Sequence, residues 1–290
     1  MSYDNHTSSS LARSLTDRFG FSHLLVTTAV LVAATILLGV ATKATGTGLA
    51  CDANWPLCDG GLFNLFPANF PSFFEWIHRV VAAVAGIFIV GTAIAAWLGN
   101  VDSKVTAAVV LGMVLTPIQV YLGRETVLGY EMLVLDFHFW TALVIFVLFI
   151  AATVWVLAGK FTATHVAGAL VVGVVSVPVH VALSPVFIGT YTPVIQTLQY
   201  TATLVLLTAV IVAAIVGTRR IEGLFVSGLT ALTLIFAFGV VLFGRRAVMT
   251  FNPALDTVYA VLSVLLVVTM LVTAFLARRV DGERTQQYLH

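Results

Sequence analysis

The sequence predicts an all-α membrane protein of eight transmembrane helices, arranged as two pseudo-repeated four-helix bundles with both termini cytoplasmic. Three observations predict it. First, 60% of the 290 residues are hydrophobic and only 9% are charged, where a soluble domain carries roughly 25% charged residues. Second, the charges fall between apolar runs about 20 residues long, the length that crosses a hydrocarbon core about 30 Å thick. Third, a short pattern recurs at a fixed spacing late in each half of the chain. Helices are the expected spanning element, because backbone groups in lipid must be satisfied within each segment, and these runs are far too long for barrel strands.

The apolar segments run near 23–43, 75–98, 105–122, 136–158, 165–184, 195–217, 223–243 and 254–277. The first is not read as a cleavable signal: it is long and follows a polar stretch, Met1 to Gly20, that contains Arg13, Asp17 and Arg18. With the N-terminus inside, the inner side holds Arg13, Arg18, Lys104, Lys160, Arg219, Arg220, Arg278, Arg279 and Arg284. The outer side holds Lys43, Arg79, Arg124, Arg245 and Arg246. This bias places both termini in the cytoplasm. Positive residues outside oppose that rule, so the outer set calls for a reason. A net charge of +1 points to no nucleic-acid partner.

The duplication rests on Leu122-Gly123-Arg124-Glu125-Thr126-Val127-Leu128 and Phe243-Gly244-Arg245-Arg246-Ala247-Val248-Met249, placed after the third and seventh helices at an offset of 121 residues. Leu135-Asp136 and Leu255-Asp256 repeat at an offset of 120. Repeats of four helices keep the same orientation and are related by an axis along the membrane normal. The expected units are therefore a tail over 1–22, a first half over 23–158, a second half over 159–277 and a tail over 278–290. The halves differ in one loop. Residues 44–74 form a long outer connection in the first half, its counterpart in the second is only about ten residues, and long loops tend to be functional.

The candidate chemistry lies in the first half. Glu75-Trp76-Ile77-His78-Arg79 opens the second helix, with Glu75 and His78 at i and i+3 on one face. Ionisable groups inside a membrane helix are costly and usually point into the bundle. An interfacial cluster, with Trp76 as a belt aromatic and Glu75 and Arg79 as a solvated pair, is the plainer alternative. His138, in Asp136-Phe137-His138-Phe139-Trp140, starts the fourth helix. The second and fourth helices run the same way, so His78 and His138 lie at similar depth, as axial ligation of a haem iron requires. Zinc held by His, Glu and Asp136 competes, although apolar, aromatic surroundings favour a large flat cofactor. Pro117 is expected to kink the third helix, and Gln119 to bond to a neighbouring helix.

Cys51 and Cys58 are the only cysteines and share the long loop. On an oxidising outer face a disulfide is expected, with two unpaired thiols or thiol exchange with a partner protein as alternatives. In the second half Glu75 maps to Gln196, His78 to Gln199, and His138 to Val258 or Tyr259 depending on the offset. His180, beside Pro178, reads as a satisfied core histidine, with a ligand role for it or Tyr259 left open. His23 and His165 read as interfacial.

These residues resemble the haem A synthase family of cytochrome oxidase assembly. The resemblance rests on Thr45-Gly46-Thr47-Gly48-Leu49-Ala50-Cys51 followed by Trp55-Pro56-Leu57-Cys58, on Glu75-Trp76-Ile77-His78-Arg79, and on His138. The eight-helix plan covers the whole chain, and the motifs cover residues 42–140. The resemblance implies a membrane-bound oxidoreductase that converts haem O to haem A by oxidising a ring methyl to a formyl group. It further implies a Cys51–Cys58 disulfide, His78 and His138 as haem ligands, and Glu75 as the essential acid. Haem O would be the substrate, with haem O synthase and oxidase assembly factors as partners, in the cell membrane with the active face outward. The family's second histidine pair, which holds a haem b in many members, has no match here. Lys43 stands where arginine is usual, and Asn54 where aspartate is usual. Arg79, Arg124, Arg245 and Arg246 are candidate partners for haem propionates. The rivals are a non-enzymatic b-type cytochrome, which needs neither Glu75 nor the loop, and a transporter, which needs polar residues near the midplane. An oligomer is left open by pairing of four-helix halves.

Overall fold

The computed structural model describes residues 20–51, 54–58, 65–129, 131–220 and 224–287. The tail positions 1–19, with Arg13 and Arg18, and the loop positions 59–64 lie outside them. Eight helices follow in order: α1 Phe21–Ala44, α2 Phe70–Leu98, α3 Ser103–Leu128, α4 Met132–Leu157, α5 Ala163–Ala182, α6 Pro193–Arg220, α7 Leu224–Met249 and α8 Pro253–Gln287. All eight contain a span long and apolar enough to cross a membrane, so the chain is a multi-pass membrane protein.

Helix ends differ from the sequence expectation where capping chemistry sets them. α2 begins at Phe70 rather than near 75, because the Asn69 side chain accepts from Ser72 N–H at 2.9 Å and Pro71 occupies the first turn, where a missing N–H costs nothing. α3 runs past 122 and through Pro117 to Leu128, so the Gly123-Arg124 motif closes the helix instead of following it. Gly244-Arg245 likewise lies inside α7. Residues 278–287, expected as a tail, continue α8.

Each set of four helices closes a ring: α1 with α2, α2 with α3, α3 with α4 and α4 with α1, then α5 with α6, α6 with α7, α7 with α8 and α8 with α5. The halves meet where α6 packs on α1 and α4. Small residues bring the helices close. The Cα of Gly112 on α3 lies so near Phe149 of α4 that a Cβ would fall 2.7 Å from the ring, and Gly173 on α5 receives Met270 of α8 in the same way. Thr28 and Thr92 pair their hydroxyls at 2.7 Å between α1 and α2. The outward faces stay apolar, with Ile87 71%, Trp97 69% and Val264 63% exposed, a surface suited to lipid and not to water.

Candidate functional site

The long loop is stitched onto the start of α2. Cys51 and Cys58 form a disulfide, as expected. Gly46 adopts φ +72°, a left-handed turn that glycine reaches without a steric cost, and carries the chain from α1 into the short 3₁₀ turn Thr47–Leu49. Ser72 Oγ donates to the Ala50 carbonyl at 2.9 Å, Trp76 Nε1 to the Leu65 carbonyl at 2.8 Å, and Thr42 Oγ1 to the Phe74 carbonyl at 3.3 Å. The loop thus caps the α1–α2 end of the bundle.

Glu75 and Arg79 sit one turn apart beneath that cap. Glu75 is 3% exposed. Its Oε1 accepts from Arg79 Nη2 at 2.7 Å and Nε at 3.1 Å. Arg79 Nη1 also donates to the Leu57 and Asn54 carbonyls, so one guanidinium ties the acid to the disulfide loop. Glu75 Oε2 is buried with no hydrogen-bond partner among the described residues.

Behind the cap lies a cavity of about 460 Å³, within the range of small-molecule and cofactor sites. His78 and His138 both line it, with Glu75, Arg79, Trp55 and Pro56. The helix geometry that seats the two imidazoles is parallel. A Cβ on Gly39 of α1 would meet His78 Cε1 at 3.0 Å, and a Cβ on Gly123 of α3 would meet His138 Cε1 at 3.0 Å. Each ring therefore rests against a bare glycine backbone. The Nδ1 atoms of both rings are buried without partners among the described residues. His138 Nε2 lies 3.4 Å from Gln119 Nε2, which puts Gln119 on the cavity wall as well as between helices.

The cations that the sequence assigns to the outer side are not equivalent. Lys43, Arg79 and Arg245 line the cavity. Arg124 pairs with Glu125 and its side chain is 44% exposed, and Arg246 is exposed. The second half also reaches in: Gln196 and Tyr200 of α6 and Arg245 of α7 form part of the wall. Sequence reasoning missed Tyr200, Lys43, Gly39 and Gly123 as parts of the site. The glycines carried a usable signal, since glycine in a membrane helix marks close approach by a neighbour. The zinc alternative finds no support: no group of three or more His, Cys, Asp or Glu comes together among the described residues, and Asp136 turns to Arg245 at 3.1 Å.

At the same end of the second half the corresponding side chains are buried. His180 is 3% exposed, Gln199 1% and Tyr259 0%. His180 Nδ1 lies 3.0 Å from Thr203 Oγ1 and 3.4 Å from the Gln199 carbonyl. The Tyr191 hydroxyl, whose ionisation burial pushes well above the usual phenol range, donates to Gln199 Oε1. Tyr259 meets the His180 ring edge-on with centroids 5.9 Å apart, while Val258 is 40% exposed. His180 is thus only half satisfied, because its Nε2 has no partner among the described residues.

Residues 22–204 match the sequence profile of a family described as cytochrome oxidase assembly protein. The chain is 34% identical over 135 residues to a protoheme IX farnesyltransferase of Haloarcula marismortui, covering 47% of this chain and 28% of that one. It is 33% identical over 127 residues to a heme A synthase of Bacillus licheniformis, covering 42% and 40% of the two chains. For a heme A synthase of Bacillus pumilus the figures are 30% over 133 residues, 44% and 42%. The chain therefore matches less than half the length of these relatives.

Proposed function

The chain belongs to the cytochrome oxidase assembly protein family, and from that premise we propose that it is a haem A synthase. In this reading the first-half cavity takes haem O and oxidises one ring methyl to a formyl group, at the outer face of the cell membrane. The observation that carries it is the cavity wall itself. Two imidazoles, each with a ring nitrogen lacking a partner, border one apolar space together with a buried carboxylate oxygen that also lacks a partner. Buried polar atoms are rarely left so; an iron-centred ring would engage the two imidazoles and leave the carboxylate oxygen to a donor on the bound ligand or to water.

His78 and His138 would then hold the iron, each imidazole resting against a glycine, Gly39 or Gly123. The bound iron supplies the redox chemistry. With water as the oxygen donor, oxidation of the methyl to the aldehyde would pass four electrons to an external electron acceptor and release four protons, in two two-electron stages through a hydroxymethyl group, and positive character developing at that carbon would be stabilised by a fixed carboxylate. Glu75 is placed for this, or to accept the proton. Arg79 keeps Glu75 turned toward the cavity, and the disulfide loop keeps water away from both. Arg79, Arg124 and Arg245 remain the candidate haem-binding cations of this end, of which Arg79 and Arg245 border the cavity. The names of the relatives, which concern protoheme IX and heme A, support the same substrate class.

The test is to express the protein in a membrane host that makes haem O and to extract the haems. Haem A, or its hydroxymethyl precursor, should appear only when the protein is present. Recovery of unmodified haem alone, from a protein that is folded and membrane-inserted, contradicts the reading and leaves a b-type cytochrome as the alternative.

A further inference from the structure

Arg245 belongs to the second half but serves the first. Its Nε donates to Asp136 Oδ1 at 3.1 Å and its Nη1 to the Tyr200 hydroxyl at 3.1 Å. Its guanidinium carbon stands 4.8 Å over the Phe139 ring. The side chain is only 11% exposed, and it lines the cavity with Tyr200 and Gln196. A guanidinium carries five N–H donors in a planar fork, and a fork held on two sides keeps a fixed direction for the rest.

Among the described residues two other cations line the cavity, Arg79 and Lys43. Arg79 is engaged by Glu75 and by two loop carbonyls. Lys43 and Arg245 both border the cavity, so two cationic side chains stand at the edge of one apolar space. Cationic side chains at the edge of an apolar site suit an anionic ligand end, and a carboxylate matches the guanidinium fork best. Arg124, at the position of Arg245 one repeat earlier, pairs with Glu125 instead.

We infer that the second half supplies the carboxylate-binding wall of the first-half cavity. Arg245, with Lys43 beside it, takes the carboxylate side chains of an amphipathic ring ligand. Asp136 and Tyr200 are positioning residues that aim Arg245. The inference rests on the haem reading above, in which those carboxylates are the propionates.

The experiment compares binding of iron protoporphyrin IX and of its dimethyl ester, whose carboxylates are capped, to the full chain in detergent. The wild type should prefer the free acid by about tenfold or more, the scale of a charge-assisted hydrogen bond. Arg245→Met should lose most of that preference while binding the ester as the wild type does. Arg245→Lys, which keeps the charge, and Lys43→Met should each lose part of it. Asp136→Ala should lower the preference, and Asp136→Asn, which keeps an acceptor oxygen, should restore it. Equal binding of the two rings by the wild type, or an undiminished preference in both Arg245→Met and Arg245→Lys, overturns the inference alone. Binding of neither ring by the wild type overturns the haem reading with it.

Discussion

At the loop end of the first half, His78, His138 and Glu75 border a cavity of about 460 Å³; at the same end of the second half, Gln199, Tyr259 and His180 close on one another and are at most 3% exposed. The helices around both places follow the same ring order. The difference comes from a few side chains. In the first half, glycines at 39 and 123 let two imidazoles lean back against α1 and α3 and leave the middle open. In the second half, Gly244 receives an imidazole from α5, and Tyr259 fills the space beside it. An architecture of four helices does not by itself make a site; polar groups without partners occur in both halves, and the site appears where they border an open cavity.

The largest effect expected from this comparison concerns Glu75. Glu75→Gln keeps the size and loses the charge, so the haem A to haem O ratio in extracts should fall by about 10²- to 10⁴-fold with haem content retained. An unchanged ratio removes the carboxylate from the chemistry. The glycine seats come next. Gly39→Ala and Gly123→Ala push on His78 and His138 through contacts of 3.0 Å, and supporting contacts of a metal ligand are worth roughly 10- to 100-fold in affinity. A haem titration should show that loss. Gly244→Ala would place a Cβ 2.7 Å from His180 Nε2. It should cost about 1–3 kcal/mol as overpacking, seen as a lower melting temperature, and leave haem affinity as it was. The smallest effect is Tyr259→Phe. The hydroxyl is buried beside Ser184 and Gln199 without a hydrogen bond of normal geometry among the described residues, so its removal should change thermal stability by no more than about 1 kcal/mol. A clear fall would mean that the hydroxyl is paired.

Much of this was legible in the residues. Apolar length alone marks the eight helices, since nothing but a membrane core requires runs of that kind. The matched depth of His78 and His138 follows from helix direction, and the two cysteines in one exposed loop foretold their bridge. Helix ends were less legible, because Asn69 and Pro71 act through cap geometry rather than apolar pattern. The contribution of α6 and α7 to the first cavity was not legible at all. It depends on how the halves pack, and on which way α6 is turned. Gln196 and Gln199 are three residues apart and so differ by about 60° around the helix. That rotation sends Gln196 to the first-half cavity and Gln199 into its own half. Arg124 and Arg245 look alike as motifs for the same reason and differ only in what the fold sets opposite them.

The most direct test is the haem content and absorption spectrum of three purified single variants beside the wild type. His78→Ala and His138→Ala should each lose most of the bound haem or change its Soret band, and His180→Ala should match the wild type in both. Retention of a wild-type spectrum by the first two, or its loss in His180→Ala, would move the iron site out of the first half and contradict this assignment.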